Sequence, residues 1–294
     1  MKRVLITGAD SYIGTSFEDW VRKSCSDIVT DTVDLRDGTW REKDFGGYDA
    51  VFHVAGIAHA DVGKATEEEK KQYYRVNTDL TAECAGKAKR DGVGQFLFMS
   101  SIIVYGESAG IGKKKMITTD TLPAPANFYG DSKWKAEKKL EDLSDSSFRV
   151  VILRPPMIYG KGSKGNYPLL AGMAVKLPLF PRETNQRSML YIGNLCKFVE
   201  LMIRNEEQGI FYPQNREYVC TTELVKAIAK EHGRNIRLTA LFHPALLLLG
   251  RIGGKPGELV NKAFGNLVYD KTLSEYKEEY RIYGLEESVR LTEK

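Results

Sequence analysis

Tyr129 and Lys133 are the residues of this chain whose types and spacing most directly offer chemistry. They lie four apart, in Tyr129-Gly-Asp-Ser-Lys133, at the start of a helix-like run. At that spacing two side chains share a helical face and can aim at one point. An ammonium beside a phenol favours the phenolate and is expected to draw the phenol's pKa toward neutrality. Such a pair suits the proton of a hydroxyl that is becoming a ketone. The spacing alone is common, so its meaning depends on the company it keeps.

Part of that company is at the N-terminus, where Thr7-Gly8-Ala9-Asp10-Ser11-Tyr12-Ile13-Gly14 follows a strand and opens a helix. A turn so placed can seat a pyrophosphate on free helix N–H groups. Gly8 permits the tight turn, and Gly14 lets helix and strand approach closely. Ser11 stands where a second glycine is usual, so its side chain either crowds the pyrophosphate or hydrogen-bonds to it. Asp34 lies 20 residues beyond Gly14, the distance at which an acid holds the adenosine ribose. Asp31 is an alternate. An acid there favours NAD, whereas Arg36 could accept the extra phosphate of NADP.

The elements that must position these residues alternate. Val4-Leu5-Ile6 reads as a buried parallel strand, followed by a helix over 12–23. Further strands are expected at 27–34, 50–54, 95–99 and 150–153, with a long helix over 67–89 and another carrying Tyr129 and Lys133. The alternation implies an α/β fold, a Rossmann-type doubly wound parallel sheet. Residues 1–165 are expected to form that dinucleotide-binding domain. Residues 166–294 are expected to form mainly a smaller mixed α/β substrate lobe, with about 187–205 returning to the first domain.

Bulk composition narrows the classes. The 294 residues, 42% of them hydrophobic, suffice for one large or two modest domains. A net charge of +4, read as small and scattered, excludes a nucleic-acid footprint. Its densest run, Lys113-Lys114-Lys115, reads as a solvated loop. Residues 241–249, around His243-Pro244, are too short an apolar run to span a bilayer. They read as a buried helix, with contact to a membrane surface as the alternative. Cys25, Cys84, Cys196 and Cys220 show no metal-ligand spacing, and the chain runs directly into a strand with no signal segment. Both point to reduced thiols in a cytoplasmic protein.

Five motifs carry a resemblance over most of the chain: Thr7–Gly14, His53-Val-Ala55-Gly56 with Val76-Asn77, Ser100-Ser101-Ile-Ile-Val-Tyr105-Gly106, Tyr129–Lys133, and Leu153-Arg154-Pro155-Pro156-Met157-Ile-Tyr159-Gly160. Together they resemble the extended short-chain dehydrogenase/reductase family, the NAD-dependent epimerase/dehydratase group acting on nucleotide sugars. The resemblance makes Tyr129 the general acid/base, Lys133 the ribose-binding partner that lowers its pKa, and Ser101 the hydrogen-bond partner of the reacting sugar oxygen. It assigns backbone contacts to the pyrophosphate to Tyr12 and Ile13. Leu35, Ala55, Gly56, Asn77 and Pro156 join the cofactor site, with Asn77 anchoring the active-site helix. Asn166 and Arg187 are implied as contacts to the nucleotide and the diphosphate, and His59 as a residue facing substrate. His53 reads as packing.

Ile102 and Ile103 exclude one branch of the group. Sugar 4,6-dehydratases carry an Asp-Glu pair at those positions, and isoleucine cannot transfer protons. The preferred expectation is a UDP-hexose 4-epimerase with NAD, in which Tyr129 serves a transient oxidation at C4. The alternative is an NAD(P)H-dependent reductase of a 4-keto-6-deoxy nucleotide sugar. Met157, where epimerases commonly have Asn, weighs against a galactose-type enzyme. A non-catalytic NAD(P) sensor would be expected to have lost Tyr129 or Lys133. Family habit would pair two copies as a homodimer through the helices at 67–89 and 129–143.

Overall fold

Six short stretches become the strands of one parallel sheet. The computed structural model describes residues 1–58, 65–252 and 254–294. The first half alternates β1 (Lys2–Thr7), α1 (Tyr12–Ser24), β2 (Ile28–Val33), β3 (Ala50–His53), α2 (Glu67–Tyr74), α3 (Thr81–Arg90) and β4 (Gln95–Met99). Then come β5 (Met116–Ile117), α4 (Phe128–Leu143), β6 (Arg149–Leu153) and β7 (Met157–Tyr159). The remainder comprises α5 (Asn166–Lys176), β8 (Leu179–Pro181), β9 (Met189–Tyr191), α6 (Ile192–Arg204), β10 (Gly209–Phe211), α7 (Thr221–Glu231), β11 (Arg237–Thr239), α8 (His243–Arg251), α9 (Lys255–Phe264), β12 (Val268–Tyr269) and α10 (Leu285–Glu293). The main sheet runs β10-β6-β4-β3-β1-β2, every neighbour parallel.

Strand periodicity explains why both faces are covered. Val4, Ile6 and Phe52 join one apolar layer, with Phe17 of α1 and Phe198 of α6. Leu5, Val51, Phe96 and Phe98 point the other way, into a second layer with Ala85 and Ala88 of α3 and Leu140 of α4. Successive residues of a strand face opposite sides, so a strand buried on both faces reads as an unbroken apolar run.

Local signals start the helices. Ser11 caps α1 by accepting from the Gly14 N–H, and Thr66 and Glu69 form a capping box at α2. Asn127 accepts from the Gly130 N–H at 3.0 Å and starts α4 at Phe128, which puts Tyr129 in its first turn.

Several sequence expectations change in the structure. The helix over 67–89 is three segments, because Arg75–Leu80 winds as a π-helix between α2 and α3. After β9, α6 packs beside α1, and a strand not expected from the sequence, β10, which has no strand-like alternation, pairs with β6. Three two-stranded parallel ladders, β7–β9, β8–β11 and β5–β12, form the rest. The last of these ties residues 116–117 of the first half to the C-terminal region. Of the lysine run, Lys115 is half-buried and engaged: it donates to the carbonyls of Tyr105 and Glu107 at 2.8 Å each. Residues 241–249 are not a buried helix, since α8 has no buried residue.

Candidate active site

The carboxyl ends of parallel strands open the crevice in which α/β folds bind ligands. Here β1, β3 and β4 end at Thr7, His53 and Met99. The turn after β1 gives Gly8 a φ of +85°, and a Cβ on it would stand 2.9 Å from the Ala55 nitrogen. Only glycine lets the two strand ends come so close. Gly14 is equally constrained, with Ile6 and Val54 methyls 3.2 and 3.3 Å from where its Cβ would be. Tyr12 and Ile13 occupy the first turn of α1, where N–H groups have no intrahelical acceptor. Ser11 was expected to meet a pyrophosphate with its side chain. Its hydroxyl is already engaged, 3.1 Å from the Gly14 nitrogen as the helix cap.

Beyond β2, the Asp34 carboxylate is held by Arg36, with the Arg36 Nε 2.8 Å from Oδ2 and its backbone N–H 2.9 Å from Oδ1. Arg36 holds the Asp34 pKa below the usual carboxylate value. Asp31, the alternate, is taken by the Tyr48 hydroxyl at 2.9 Å and by Arg3. Leu35 is buried in the second apolar layer, so its side chain is core and only its backbone is left for a ligand.

Asn77, on the π-helical segment, is buried and fully used. It accepts from the Ile57 N–H at 2.8 Å and donates to the Ile57 carbonyl at 3.0 Å and to Ser132 Oγ at 3.1 Å. It clamps the loop after β3 to α4. Thr78 reinforces the clamp, 2.7 Å from the Ser132 carbonyl. His53 is packed between strands. Its ring nitrogens lie 2.8 Å from the Thr7 hydroxyl and 2.9 Å from that of Thr81, and burial pushes its pKa down to about 3. It is therefore neutral at physiological pH and no proton donor. His59 lies outside the described residues.

Ser101 follows β4, and Tyr129 and Lys133 come from the first turns of α4. Lys133 is buried, with Nζ donating to the Met99 carbonyl at 2.8 Å. Burial lowers its pKa to about 8. Burial raises that of Tyr129 to about 12, while the Ser101 hydroxyl, within interaction range, pulls the other way. The expectation that Lys133 draws the phenol toward neutrality is thus not met by the protein alone. Desolvation outweighs the neighbour, and the ammonium is turned to a backbone carbonyl. Tyr73 packs edge-on against Tyr129 with ring centroids 6.0 Å apart, fixing the phenol's orientation.

The residues present fit a dinucleotide. A Cβ on Gly56 would stand 3.2 Å from Lys133 Nζ and 3.1 Å from Asn77 Oδ1, so a glycine keeps the space up to the ammonium clear. Pro156 follows β6 on the same side, and the Pro155 carbonyl accepts from the Ile102 N–H at 2.9 Å.

Residues 4–220 match the family model described as NAD dependent epimerase/dehydratase family. The chain belongs to that family. A UDP-glucose 4-epimerase of Vibrio cholerae is 31% identical over 92% of this chain and 87% of its own length. An N-acetyl-alpha-D-glucosaminyl-diphospho-ditrans,octacis-undecaprenol 4-epimerase of Escherichia coli O157:H7 is 27% identical over 89% and 81%. Among solved structures, a UDP-glucuronic acid 4-epimerase from Bacillus cereus in complex with NAD superposes with a TM-score of 0.70 over 98% of this chain and 94% of that one, at 17% identity. A dTDP-4-dehydrorhamnose reductase from Bacillus anthracis in complex with NADP gives 0.66 over 92% and 91%, at 18%. At those identities the two structures establish the shared fold.

One site residue of this epimerase/dehydratase family member escapes sequence reasoning. Glu137 extends the Tyr129, Lys133 spacing by four more residues and lies buried under Lys133, raising its pKa against the effect of burial. It also accepts from the Ser100 hydroxyl and from Arg154. The continued i+4 spacing was the available signal. Arg187 is half-buried, and its Nη1 meets only neutral partners, Ser108 Oγ at 3.2 Å and the Gly265 carbonyl at 3.3 Å. No carboxylate pairs with it among the described residues, and burial pushes its pKa down to about 10. Asn166 is half-buried at the first position of α5.

Proposed function

We propose that this protein is an NAD-dependent 4-epimerase of a diphosphate-linked hexose, UDP-hexose in the first instance. The observation that carries the reading is the meeting of Ser101, Tyr129 and Lys133 at the end of β4, where Ser101 is followed by Ile102 and Ile103, which carry no titratable group. That set can move one proton at one carbinol and has no second acid/base pair for elimination. The turn Gly8–Gly14, Asp34, Ala55, Gly56, Lys133 and Pro156 would hold the dinucleotide. When bound, NAD supplies reversible hydride transfer at the sugar carbon. Tyr129 Oη would act as the phenolate: once its own proton has gone to solvent, a loss that the positive charges of the bound nicotinamide and of Lys133 would favour, it would take the proton from the hexose 4-hydroxyl and return it after the ketose has turned over. Ser101 Oγ orients that oxygen, and Lys133 places positive charge beside it. Arg187, a cation with no carboxylate partner among the described residues, would bind the diphosphate.

Incubation with UDP-glucose and with UDP-N-acetylglucosamine, without added reductant, tests the reading: each 4-epimer pair should equilibrate. Oxidation of stoichiometric NAD(P)H with a 4-keto-6-deoxy nucleotide sugar, and no interconversion of the epimers, would make the protein a reductase instead.

A second reading keeps the reaction and changes the carrier to a polyprenyl diphosphate, the substrate type in the name of the E. coli relative. The exposed leucines of α8 and α9 favour it, because α9 is followed directly by Gly265, whose carbonyl accepts from Arg187. Assay of the same hexoses on a polyprenyl diphosphate in detergent separates the two carriers. The proposal also pairs two copies through α2–α3 and α4 in the cytoplasm. Sedimentation at micromolar concentration checks this, and a monomer overturns it.

A further inference from the structure

Six of the fourteen exposed large hydrophobic side chains among the described residues fall between 241 and 259: Leu241, Phe242, Leu248, Leu249, Ile252 and Leu259. Leu241 is 85% exposed, Leu248 62% and Leu259 60%. Single exposed leucines are ordinary, but such a concentration in one helical hairpin marks an interaction surface. Leu177 and Leu179 are also exposed, on and just before β8, whose partner β11 leads into α8.

The hairpin is held in place, so its apolar outside is not the result of loose packing. Leu246, Val260 and Ala263 pack on the main core, and Phe264 meets Phe180 with centroids 5.7 Å apart. Asn261 Nδ2 donates to the Gly250 carbonyl at 3.0 Å, and His243 Nδ1 lies 2.9 Å from the buried Glu183 carboxylate. One face of the pair is therefore satisfied, and the other presents leucine to its surroundings.

Charge indicates what covers that face. Residues 237–262 contain four basic residues, Arg237, Arg251, Lys255 and Lys262, against the single acid Glu258. Their excess of three makes up most of the +4 of the entire chain. The exposed Lys113 and Lys114 are drawn to the foot of α9, where the Asn266 side chain donates to the Lys113 carbonyl at 2.8 Å and Ala109 bridges Asn266. Leucine on one side and lysine and arginine around it is the composition of an interfacial helix that lies on anionic lipid. A second copy of the same face would set like charges together. Spanning is excluded for α8, whose nine residues reach about 14 Å, and no helix among the described residues is long and apolar enough to cross a membrane.

We propose that the outer face of the α8–α9 hairpin is a docking surface for an anionic lipid bilayer. Docking there sets Arg187, at the foot of α9, close to the headgroup layer. The inference stands on the hairpin and not on the reaction, so it survives if the catalytic reading fails.

Flotation of the full chain with vesicles of phosphatidylcholine containing about one-third phosphatidylglycerol tests it. The protein should float with these vesicles, should not float with pure phosphatidylcholine, and should be released at about 0.5 M salt. The triple variant Leu248→Ser, Ile252→Ser, Leu259→Ser should bind at least about tenfold more weakly with an unchanged thermal midpoint, as its side chains make no core contact. Arg251→Ser with Lys262→Ser should weaken binding to the anionic vesicles. Absence of flotation, flotation indifferent to the leucine substitutions, or a solution dimer that the leucine substitutions dissociate would each overturn the proposal, the last by assigning the face to a second copy.

Discussion

Arg154 grips Glu137 in a forked ion pair from which water is excluded, with Nη2 2.6 Å from Oε2 and Nε 3.1 Å from Oε1. The pair stands behind the catalytic face of α4. Arg154 also donates to the Tyr105 hydroxyl at 2.6 Å, and its own carbonyl accepts from the Tyr269 hydroxyl at 2.8 Å. Removing one partner strands the other charge in the interior. Glu137→Gln should therefore cost about 3–5 kcal/mol in urea denaturation. Glu137→Gln with Arg154→Met should recover part of that loss, and a double variant less stable than either single would contradict the pairing.

On the proposed mechanism, Tyr129→Phe removes the proton carrier at the carbinol. Turnover should fall by at least about a thousandfold, while NAD binding, followed by fluorescence, stays within a few-fold of wild type. Near-normal turnover in this variant would end the mechanism.

Lys133 gives stability a definite pH signature. Its pKa is about 8 in the folded protein against an ordinary 10.5, so the unfolded chain binds more protons between those values. The penalty for burying the ammonium is complete below pH 8 and disappears by 10.5. Relative to Lys133→Met, wild-type stability should therefore rise across that window, by about 3 kcal/mol. Denaturation of both proteins at several pH values reads the difference, which also cancels the shared ionisation of tyrosines.

Asp34 and Arg36 hold one another where the adenosine ribose would lie. Asp34→Ala should weaken NAD by about tenfold through the lost hydroxyl contact. It should strengthen NADP, because Arg36 is freed for the additional phosphate. Titration of both nucleotides checks the exchange, and equal losses for the two would show that Asp34 does not discriminate.

Arg187→Met should raise KM for a diphosphate-linked sugar by about tenfold or more with little change in kcat, as expected for a group that binds ground and transition states alike. An unchanged KM would remove Arg187 from the substrate site.

The parallel core was legible because β1, β3, β4 and β6 are unbroken apolar runs that no exposed element would tolerate. Tyr129, Lys133 and Ser101 were legible from side-chain identity and order. The Arg154–Glu137 pair was not, since it joins α4 to the end of β6 across 17 residues without local periodicity. Neither was the π-helical winding at Asn77, an offset of backbone hydrogen bonds with no side-chain signature. The leucines at 241–249 were misread for a physical reason: an apolar run records a need for cover, and burial in the chain's own core is only one way to meet it. Arg187 was found as a type, but its lack of an acidic partner could be seen only once Ser108 and Gly265 were placed beside it.

The return of α6 and β10 to the sheet has a consequence for anyone wishing to exchange specificity between relatives. The segments that lie outside the main sheet and would carry the substrate side on the proposed reading, 157–191 and 212–294, are not contiguous, and 107–117 joins them through β5 and β12. Grafting the C-terminal region alone would leave Arg187 on the recipient's backbone and Ser108 on another part of it. A working chimera must transplant three separate stretches at once, so natural diversification of this scaffold should proceed by point changes along them rather than by shuffling a cassette.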